Sequence, residues 1–584
     1  MAICNRLSVS YNFKNIDADY DFYMISTCDK FIPFGAKCLD ISNGIRAESI
    51  AFENGRSMYV LTRKGVTNRI ELTKNLNDEK LSIKKIDPNN IPSYLLFRLF
   101  LYSLNNFESD KLSFNNLTGK FYIYNPSWMK KNRSSFIAIG INVDQNMNIT
   151  LEAATFAKLS LFKENKKLNE YPKYIFANKN NALKRVFDKK VYEEIYIKKG
   201  IFNKKAEIPF LSLEQKNVRD SKVFFLYYVL DLMSKKCSDY LSFSFSGIDV
   251  LSTIGTEKDN HFVDVAIREF SQQDVTFVNL TSESEYIEEF KDLVQSISSK
   301  AEIKSTIGEA INDNTTNIVL IHNKEFYEQN KYQDLYKTFN RKTVIQCITV
   351  EDSAEKIIDD NEAIINSIIK EVVIKNDIIN KGKISLDDWN SYGFESDYIF
   401  GKEKDGKQYF MIVHPDGSFC FYNKTNDLTL FNTDILNDCS DYLTDNKGKE
   451  KAIIANQEGD INVITRTNRF PLPDKEIFEL PTISRSREAR EKYFSGLVDI
   501  TLYKQNEKTY YSSSIKGSGM QSKIIRAPHL YEVDVVKGKN IMPDILAMLS
   551  VTFVKYKSFT VLPYPIKYLN EYILMCENQS INNQ

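Results

Sequence analysis

The sequence lacks the features that mark several classes of protein. It has eight cysteines with no Cys-x-x-Cys pair, and its four histidines lie far apart. This pattern argues against a disulfide framework and against a structural zinc site. No apolar run is long enough to span a bilayer, and residues 1–6 lack the charged, apolar and small-residue regions of a signal peptide. We therefore expect a cytoplasmic protein with no membrane partner.

The chain also lacks net charge, but its charges are unevenly distributed. At 584 residues, with 42% hydrophobic and 26% charged residues, it is expected to form three or four globular domains. Lys and Arg exceed Asp and Glu by 19 to 11 in residues 151–240 and by 11 to 6 in residues 481–540, whereas acidic residues exceed basic ones by 23 to 12 in residues 351–460. Two basic segments could line a groove for a polyanion, although such charges are also typical of solvated helices and loops.

The stretch from residue 317 to residue 389 has the pattern of an α/β unit. Two apolar runs rich in β-branched residues, 317–323 and 343–350, predict buried strands. Between them, residues 327–342 could form a helix. Acidic residues 359–362 begin a further helix. Strands that end beside a helix start place backbone N–H groups and the helix dipole around one point, as phosphate sites of α/β folds do.

Polar residues in this stretch resemble a known phosphate site. Lys337, Gln346, Lys370 and Lys375 resemble the lysine, glutamine and helix lysines with which the MID domain of Argonaute proteins holds the 5′-phosphate of a guide strand. The first lysine could also be Lys331 or Lys342, because the spacing to the glutamine is shorter than in the family. The alternative is a surface helix with ordinary lysines. The resemblance allows a Mg²⁺ ion at the 5′-phosphate and requires no cofactor for catalysis.

The following residues resemble the PIWI domain of the same family. Residues 398–401 are similar to its first strand, and residues 545–552 and 561–569 are similar to its closing helix and the segment after it. The resemblance implies an α/β, multidomain Argonaute-like architecture with a β-rich N-terminal lobe, a Rossmann-like MID domain and an RNase H-like PIWI domain. The predicted boundaries are 1–154 for the lobe, 155–224 for a basic linker in place of a full PAZ domain, 225–388 for MID and 389–584 for PIWI.

The metal ligands of an active PIWI domain are missing from the matching positions. An RNase H-type nuclease holds two divalent metals with three or four carboxylates. The matching positions here are Glu403, Asn456, Glu458 and Asn570. Lys402 and Lys404 flank the first of them with opposing charge. We therefore expect a catalytically inactive protein; the alternative is a divergent nuclease that uses Glu403, Glu458 and Asp460.

Two further segments are predicted to contact nucleic acid. Residues 512–523 form a loop rich in hydroxyl and basic side chains, and Lys516, Lys523 and Arg526 are expected to contact the backbone of a nucleic acid. The alternative is a mobile surface loop. Residues 155–225 interleave Tyr and Lys, a pattern that can stack bases, but partly buried tyrosines beside exposed lysines are the favoured interpretation.

Among Argonaute-like families, an inactive chain of this length without a full PAZ domain is most similar to the DdmE component of DdmDE plasmid-defence systems. That resemblance implies a DNA guide, a complementary DNA target and recruitment of a helicase–nuclease effector; an RNA guide is the alternative. A short Argonaute that works with a TIR or sirtuin-like effector is the close alternative. A scaffold that binds only protein is a further hypothesis.

Overall fold

The computed structural model describes most of the chain. The described residues are 2–28, 47–65, 81–104, 121–124, 135–161, 172–177, 182–186, 194–198, 208–213, 218–254, 261–281, 286–330, 332–333, 335–337, 342–351, 362–424, 434–445, 451–480, 486–494, 496–513, 524–551 and 560–581. Among them, no helix is both long and apolar enough to cross a membrane.

The described strands and helices are numbered in chain order. The strands are β1 (Ala2–Tyr11), β2 (Tyr20–Thr27), β3 (Ser49–Asn54), β4 (Ser57–Arg63), β5 (Leu81–Ile86), β6 (Phe121–Ile123), β7 (Ser135–Val143), β8 (Ile149–Lys158), β9 (Lys173–Ala177), β10 (Ala182–Val186), β11 (Tyr196–Lys198), β12 (Leu211–Ser212), β13 (Leu241–Ile254), β14 (Val275–Asn279), β15 (Ser305–Gly308), β16 (Thr316–Ile321), β17 (Ile345–Thr349), β18 (Tyr398–Lys404), β19 (Lys407–Val413), β20 (Phe419–Lys424), β21 (Lys451–Asn456), β22 (Ile461–Arg466), β23 (Pro471–Leu472), β24 (Ile500–Gln505), β25 (Lys508–Ser512), β26 (Ile524–Ile525) and β27 (Leu530–Lys537). The helices are α1 (Phe13–Asp19), α2 (Ser93–Ser103), α3 (Lys222–Cys237), α4 (His261–Ser271), α5 (Ile287–Ala301), α6 (Lys324–Asn330), α7 (Glu362–Asn376), α8 (Asp434–Asp445), α9 (Arg487–Tyr493), α10 (Met542–Leu549) and α11 (Pro565–Ile581).

Contacts divide the chain into two compact units. The first unit contains residues 1–248, 471–493 and 522–527, and the second contains residues 249–470, 494–521 and 528–584. The four-part division given by the sequence stays a prediction, and its third and fourth parts each include residues of both units.

The first unit is built mainly from antiparallel strands. Strands β3, β4, β2 and β5 form a four-stranded sheet, and α2 packs against β3 and β4. A second group of strands centres on the β7–β8 hairpin, which α3 covers. The core of that group is aromatic: the Phe136 and Phe156 rings stack 5.2 Å apart, with the buried Tyr174 and Tyr196 beside them. Tyrosines of the basic segment therefore serve in the core, as the favoured interpretation of the sequence has it.

The second unit begins with a parallel sheet. Its strand order is β15-β14-β16-β17, and all neighbouring strands are parallel. Successive residues of β16 point to opposite faces, yet every one of them is buried. Helices α4 and α7 supply the core on one face. A parallel sheet covered on both faces explains why β16 and β17 appear in the sequence as continuous apolar runs.

The second unit continues with an antiparallel sheet. Strands follow the order β20-β19-β18-β21-β22-β27-β25-β24, and each neighbouring pair is antiparallel. Helices α10 and α11 pack on one face and α8 on the other. The sequence predicts a hairpin of two strands, 409–413 and 418–422, joined through residues 414–417, and the structure confirms it, with Val413 paired with Phe419.

Helix α7 joins the cores of the two sheets. Its buried residues, including Ile369 and Val372, share one hydrophobic cluster with Leu320 of the parallel sheet and Phe400 of the antiparallel sheet. After its last α-helical residue, the helix continues as a π-helical turn, Asp377–Lys381, which ends at Gly382.

Two helices differ from their predicted extents. The segment 327–342 contains the end of α6 and a separate 3₁₀ turn at residues 335–337, instead of one helix. The apolar spacing also predicts an amphipathic helix over residues 282–299; the structure has α5 at Ile287–Ala301, and residues 282–285 lie outside the described residues. Local propensity locates an amphipathic helix better than it locates the ends of the helix, because tertiary packing decides which residues join it.

A buried carboxylate fastens the π-helical turn to its surroundings. Asp377 is fully buried and accepts hydrogen bonds from the Ser385 backbone N–H (2.9 Å), the Ser385 hydroxyl (2.7 Å) and the Tyr568 hydroxyl of α11 (2.9 Å). Burial raises the pKa of Asp377 to about 6, although these hydrogen bonds oppose the shift. Charging this group is therefore unfavourable in the folded protein.

We predict that Asp377 makes the second unit less stable as the pH rises. The raised pKa favours the neutral carboxyl in the fold, so its stabilisation is complete below about pH 4 and is lost as the pH rises through about 6. The change is up to about 3 kcal/mol. Urea unfolding of Trp128→Phe protein at pH 4.5 and pH 7, followed by fluorescence of the buried Trp389, measures it. Asp377→Asn should lose this part of the pH dependence; the same pH dependence in both proteins would contradict the prediction.

Candidate nucleic-acid interface

Two of the predicted phosphate-binding residues are in direct contact. The Lys375 ammonium donates to the side-chain oxygen of Gln346 (2.8 Å) and to the backbone carbonyl of Ile345 (3.0 Å). Gln346 is 7% exposed, in the second position of β17. Lys375 and Gln346 are 29 positions apart in sequence and are predicted to belong to one site. In the structure they form a hydrogen-bonded pair.

Three further charged residues surround this pair. The Gln346 amide nitrogen donates to the Glu371 carboxylate (3.3 Å), four residues before Lys375 on α7. Lys567, in the first turn of α11, lies 3.8 Å from the other Glu371 oxygen and 2.6 Å from the Glu571 carboxylate. We call Gln346, Glu371, Lys375, Lys567 and Glu571 the polar pocket. Its four charged side chains sum to zero formal charge.

Burial and neighbouring charge act differently on the two lysines. Burial lowers the pKa of Lys375, and the carboxylates of Glu571 and Glu371 offset this only in part. For Lys567 burial also favours the neutral amine, but Glu571 and Glu371 outweigh it and raise the pKa. An added anion would therefore stabilise the charged form of Lys375 more than that of Lys567.

The polar pocket lies at a different end of α7 from the one expected. The sequence predicts an anion site at the helix start near residues 359–362, whereas Lys375 is in the last α-helical turn. The reason is geometric. The helix after a parallel strand returns antiparallel to it, so the last turn of α7 reaches Ile345 at the start of β17. The first turn of α11, which carries Lys567, supplies the positive helix end at the pocket.

Of the other two predicted phosphate ligands, Lys370 points away from the pair and the Lys337 side chain is not described. Lys370 is 3% exposed, and five residues of an α-helix turn it about 140° away from Lys375. Lys337 ends a 3₁₀ turn at residues 335–337, and its side chain lies outside the described residues. Of the alternatives, Lys331 also lies outside them and Lys342 is exposed. The structure thus brings together Gln346 and Lys375, and does not bring Lys370 to them.

The residues of the polar pocket do not fit a Mg²⁺ ion in this arrangement. Carboxylate and amide oxygens are ligands that Mg²⁺ accepts. Here, however, Gln346 and Glu571 each give an oxygen to a lysine ammonium, whose charge opposes a divalent cation. In the part of the chain that the structure describes, no group of three or more His, Cys, Asp or Glu side chains is arranged to hold a metal.

Asn570, which is predicted to match the last PIWI metal ligand, is in contact with a lysine. The Lys402 ammonium of β18 donates to the Asn570 side-chain oxygen of α11 (3.1 Å). Side chains alternate along a strand, so Lys402 and Glu403 point to opposite faces of the sheet. The face toward α11 therefore has an ammonium next to an amide, and Glu403 points away from Asn570.

The other predicted degenerate positions lie at the far end of β18. Strands β18 and β21 are antiparallel, and Asn456 pairs with Tyr398. Glu403 is five residues further along β18, or about 16 Å. Metal ions of a two-metal site are only about 4 Å apart. Because the strands run in opposite directions, the end of β21 and the end of β18 point away from each other.

Asn456, Glu458 and Asp460 belong to the turn that joins β21 to β22. The Asn456 side chain donates to Asp460 (3.0 Å), which also accepts from the Lys539 backbone N–H (2.7 Å). These bonds lower the pKa of Asp460. Glu458 accepts from the Ser396 hydroxyl (3.0 Å). The Asp460 carboxylate thus holds the turn together.

The predicted backbone-contact residues are only partly described. Lys516 and Lys523 lie outside the described residues. Arg526 is exposed and follows β26, which pairs with β12 in the first unit. In the basic segment, Lys158 pairs with Glu194, and Lys198 pairs with Glu152 at 2.7 Å. Two of its lysines thus already have acidic partners.

Reasoning from the sequence missed three members of the polar pocket, namely Glu371, Lys567 and Glu571. A local signal for them exists. Glu371 precedes Lys375 by four residues, and Lys567 precedes Glu571 by four, which is the spacing of ion pairs on a helix surface. No local signal shows that the two helices meet, because that depends on how the sheets pack.

Comparison with solved structures finds Argonaute proteins. Kluyveromyces polysporus Argonaute with a guide RNA matches with a TM-score of 0.51, at 11% identity, over 99% of this chain and 93% of that one. Marinitoga piezophila Argonaute, in complex with 5′ OH guide RNA and target DNA, matches with a TM-score of 0.47, at 12% identity, over 97% and 98%. No protein-family model and no curated protein sequence matches the chain.

The chain has an Argonaute-like fold. The predicted α/β multidomain class is thereby confirmed, and the likeness extends over nearly the whole chain, including the first 225 residues, where the sequence alone gave little sign of it. At 11% identity the likeness concerns the fold and assigns no activity.

Proposed function

We propose that this Argonaute-like protein binds a short 5′-phosphorylated DNA guide and, through it, a complementary DNA target. The observation that carries the proposal is the contact between Lys375 and Gln346. In a chain with an Argonaute-like fold, the two residues that resemble the guide-phosphate ligands meet at 2.8 Å, although 28 residues separate them. An ordinary surface helix would leave such a lysine in solvent.

The chemistry of the pair suits the end of a nucleic-acid strand. Lys375 has three N–H donors and uses two of them on Gln346 and Ile345. The third can donate to a phosphate oxygen, and a charge-assisted bond of this kind contributes about 1.5–3 kcal/mol. The low pKa of Lys375 adds to the effect, because a bound anion stabilises its charged form.

We predict guide binding that depends on the 5′-phosphate and on Lys375. Purified protein should retain a short oligonucleotide, and a 5′-phosphorylated DNA should bind more tightly than its 5′-hydroxyl form in fluorescence anisotropy. Lys375→Met keeps an apolar stem but removes the ammonium, so it should abolish that difference. Lys300→Met, which removes an ion-paired lysine of α5, is the control and should preserve the difference. Equal affinity of both DNA forms for the unaltered protein would remove the assignment.

We also propose that the protein does not cut its target. The contact of Lys402 with Asn570 supports this, because an ammonium on the face toward α11 disfavours divalent metal ions there. The register of β18 and β21 adds support, since it separates Glu403 from the Asn456 turn. The first feature is a side-chain contact, and the second is the register of two paired strands.

A cleavage assay tests the inactive assignment. Protein loaded with guide and matched target should leave the target intact in Mg²⁺ and in Mn²⁺, over times in which an active nuclease completes many turnovers. Glu403→Ala is the decisive control. Guide-dependent cutting that this variant abolishes would establish the nuclease alternative, in which Glu403 acts with Glu458 and Asp460.

A protein that recognises a target without cutting it needs a second protein to act on that target. We propose a role in bacterial defence against plasmids or phage, as in DdmE, with a helicase–nuclease effector recruited after pairing. A TIR or sirtuin-like effector, activated by the same pairing, is the alternative to a helicase–nuclease. Helix α8 suits a basic partner surface, since Asp434, Asp438, Asp441 and Asp445 follow one another at helical spacing and its apolar residues face the core.

We predict that the effector binds after guide and target have paired. Tagged protein should recover effector from a lysate weakly in its free and guide-bound forms and strongly in its guide–target form. Replacing Asp434, Asp441 and Asp445 by Asn should reduce recovery and leave guide binding unchanged. Equal recovery from all three forms would contradict gating by the target, and the guide-binding assignment would remain.

A further inference from the structure

The polar pocket already contains an anion of its own. The Glu371 carboxylate accepts a hydrogen bond from the Gln346 amide (3.3 Å) through one oxygen and lies 3.8 Å from the Lys567 ammonium through the other. Both neighbours are groups that a phosphate would use. Glu371 therefore takes up one donor of Gln346 and lies beside the charge of Lys567, both of which a bound phosphate would use.

The donors of Gln346 and Lys375 are nearly all in use. Both amide hydrogens of Gln346 have acceptors, one on Glu371 and one on the Cys347 carbonyl (3.3 Å). Lys375 uses two of its three N–H groups on Gln346 and Ile345. Lys375 has one N–H left, and Lys567 donates to Glu571 (2.6 Å) with Glu371 3.8 Å away, so both carboxylates lie where a terminal phosphate with three oxygens would approach Lys567.

The formal charges of the pocket also disfavour a bound phosphate while both carboxylates are in place. A terminal phosphate brings a charge of about −1.5 to −2 at neutral pH, into a pocket whose lysines and glutamates already cancel. It would lie beside the Glu371 and Glu571 carboxylates, which repel it. A 5′-hydroxyl end has no such cost and can use the remaining N–H of Lys375.

The two carboxylates differ in their freedom to leave. The Glu571 side chain is 14% exposed and is held by Lys567 at 2.6 Å, whereas the Glu371 side chain is 42% exposed. Glu371 can therefore turn into water and release Gln346 and Lys567 together.

We propose that Glu371 is a specificity-determining residue, an internal anion that occupies the guide 5′-end pocket until a phosphate displaces it. The proposal rests on the proposed guide-binding function. Displacing Glu371 uses up part of the binding energy of the phosphate, so the unaltered protein distinguishes phosphate from hydroxyl less than its two lysines would allow. Glu371 thereby sets the preference between the two kinds of guide end.

The test is the ratio of the affinities for 5′-phosphorylated and 5′-hydroxyl DNA of one sequence, measured on the full chain. Glu371→Gln keeps the length of the side chain and an oxygen that can accept from Gln346, but removes the charge. It should raise the ratio about tenfold, a change of about 1.4 kcal/mol, mainly through tighter binding of the phosphorylated form. Glu371→Ala should act in the same direction.

Glu362→Gln is the matched control. It removes one carboxylate from the first turn of the same helix, where Glu362 pairs with Lys300 at 3.1 Å, and it should leave the ratio unchanged. A purely structural role of Glu371 would weaken both DNA forms equally. An unchanged or lowered ratio in Glu371→Gln, with DNA still bound, would overturn the proposal and leave guide binding intact. Loss of all binding in the unaltered protein would instead overturn the proposed function itself.

Discussion

The architecture of the second unit depends on one helix that belongs to the cores of two sheets. Helix α7 packs its isoleucines and valines against the parallel sheet and shares their cluster with the antiparallel sheet and α11. At its end, Asp377 ties the π-helical turn to Ser385 and to Tyr568 of α11. A π-helical turn is uncommon in proteins and often lies at a functional site. Here it follows directly after Lys375, so the structural junction and the polar pocket share the same few residues.

That junction explains the chemistry of the pocket. Because α7 runs antiparallel to β17, its last turn delivers Lys375 to the start of the strand, and because α11 begins beside α7, Lys567 and Glu571 arrive from the other side. The result is a network in which each ammonium has an oxygen partner. Without a ligand, the charges of the pocket cancel one another. The protein thereby avoids the free-energy cost of burying an unpaired charge. Binding of a phosphate would then displace the Glu371 carboxylate.

Much of this could be predicted from the sequence, and the remainder depends on packing. Periodicity located α7 and the β16 and β17 strands, because apolar spacing directly reflects burial. The resemblance to the MID domain, not periodicity, placed Gln346 and Lys375 in one site. It could not indicate Glu371 as their partner, since a glutamate on a helix surface usually faces water. Nor could it show that β21 is antiparallel to β18, because strand direction follows from the path of the connecting chain. The sequence therefore indicated candidate residues but not the distances between them.

The central claim is that the end of a guide strand lies at the contact of Lys375 with Gln346. Cryo-electron microscopy of the full chain bound to a 5′-phosphorylated DNA guide tests it most directly. The account predicts the terminal phosphate within hydrogen-bond distance of the Lys375 ammonium, with the Glu371 side chain turned away from Gln346. A guide whose 5′ end lies elsewhere, with the bond from Gln346 to Glu371 unchanged, would contradict it.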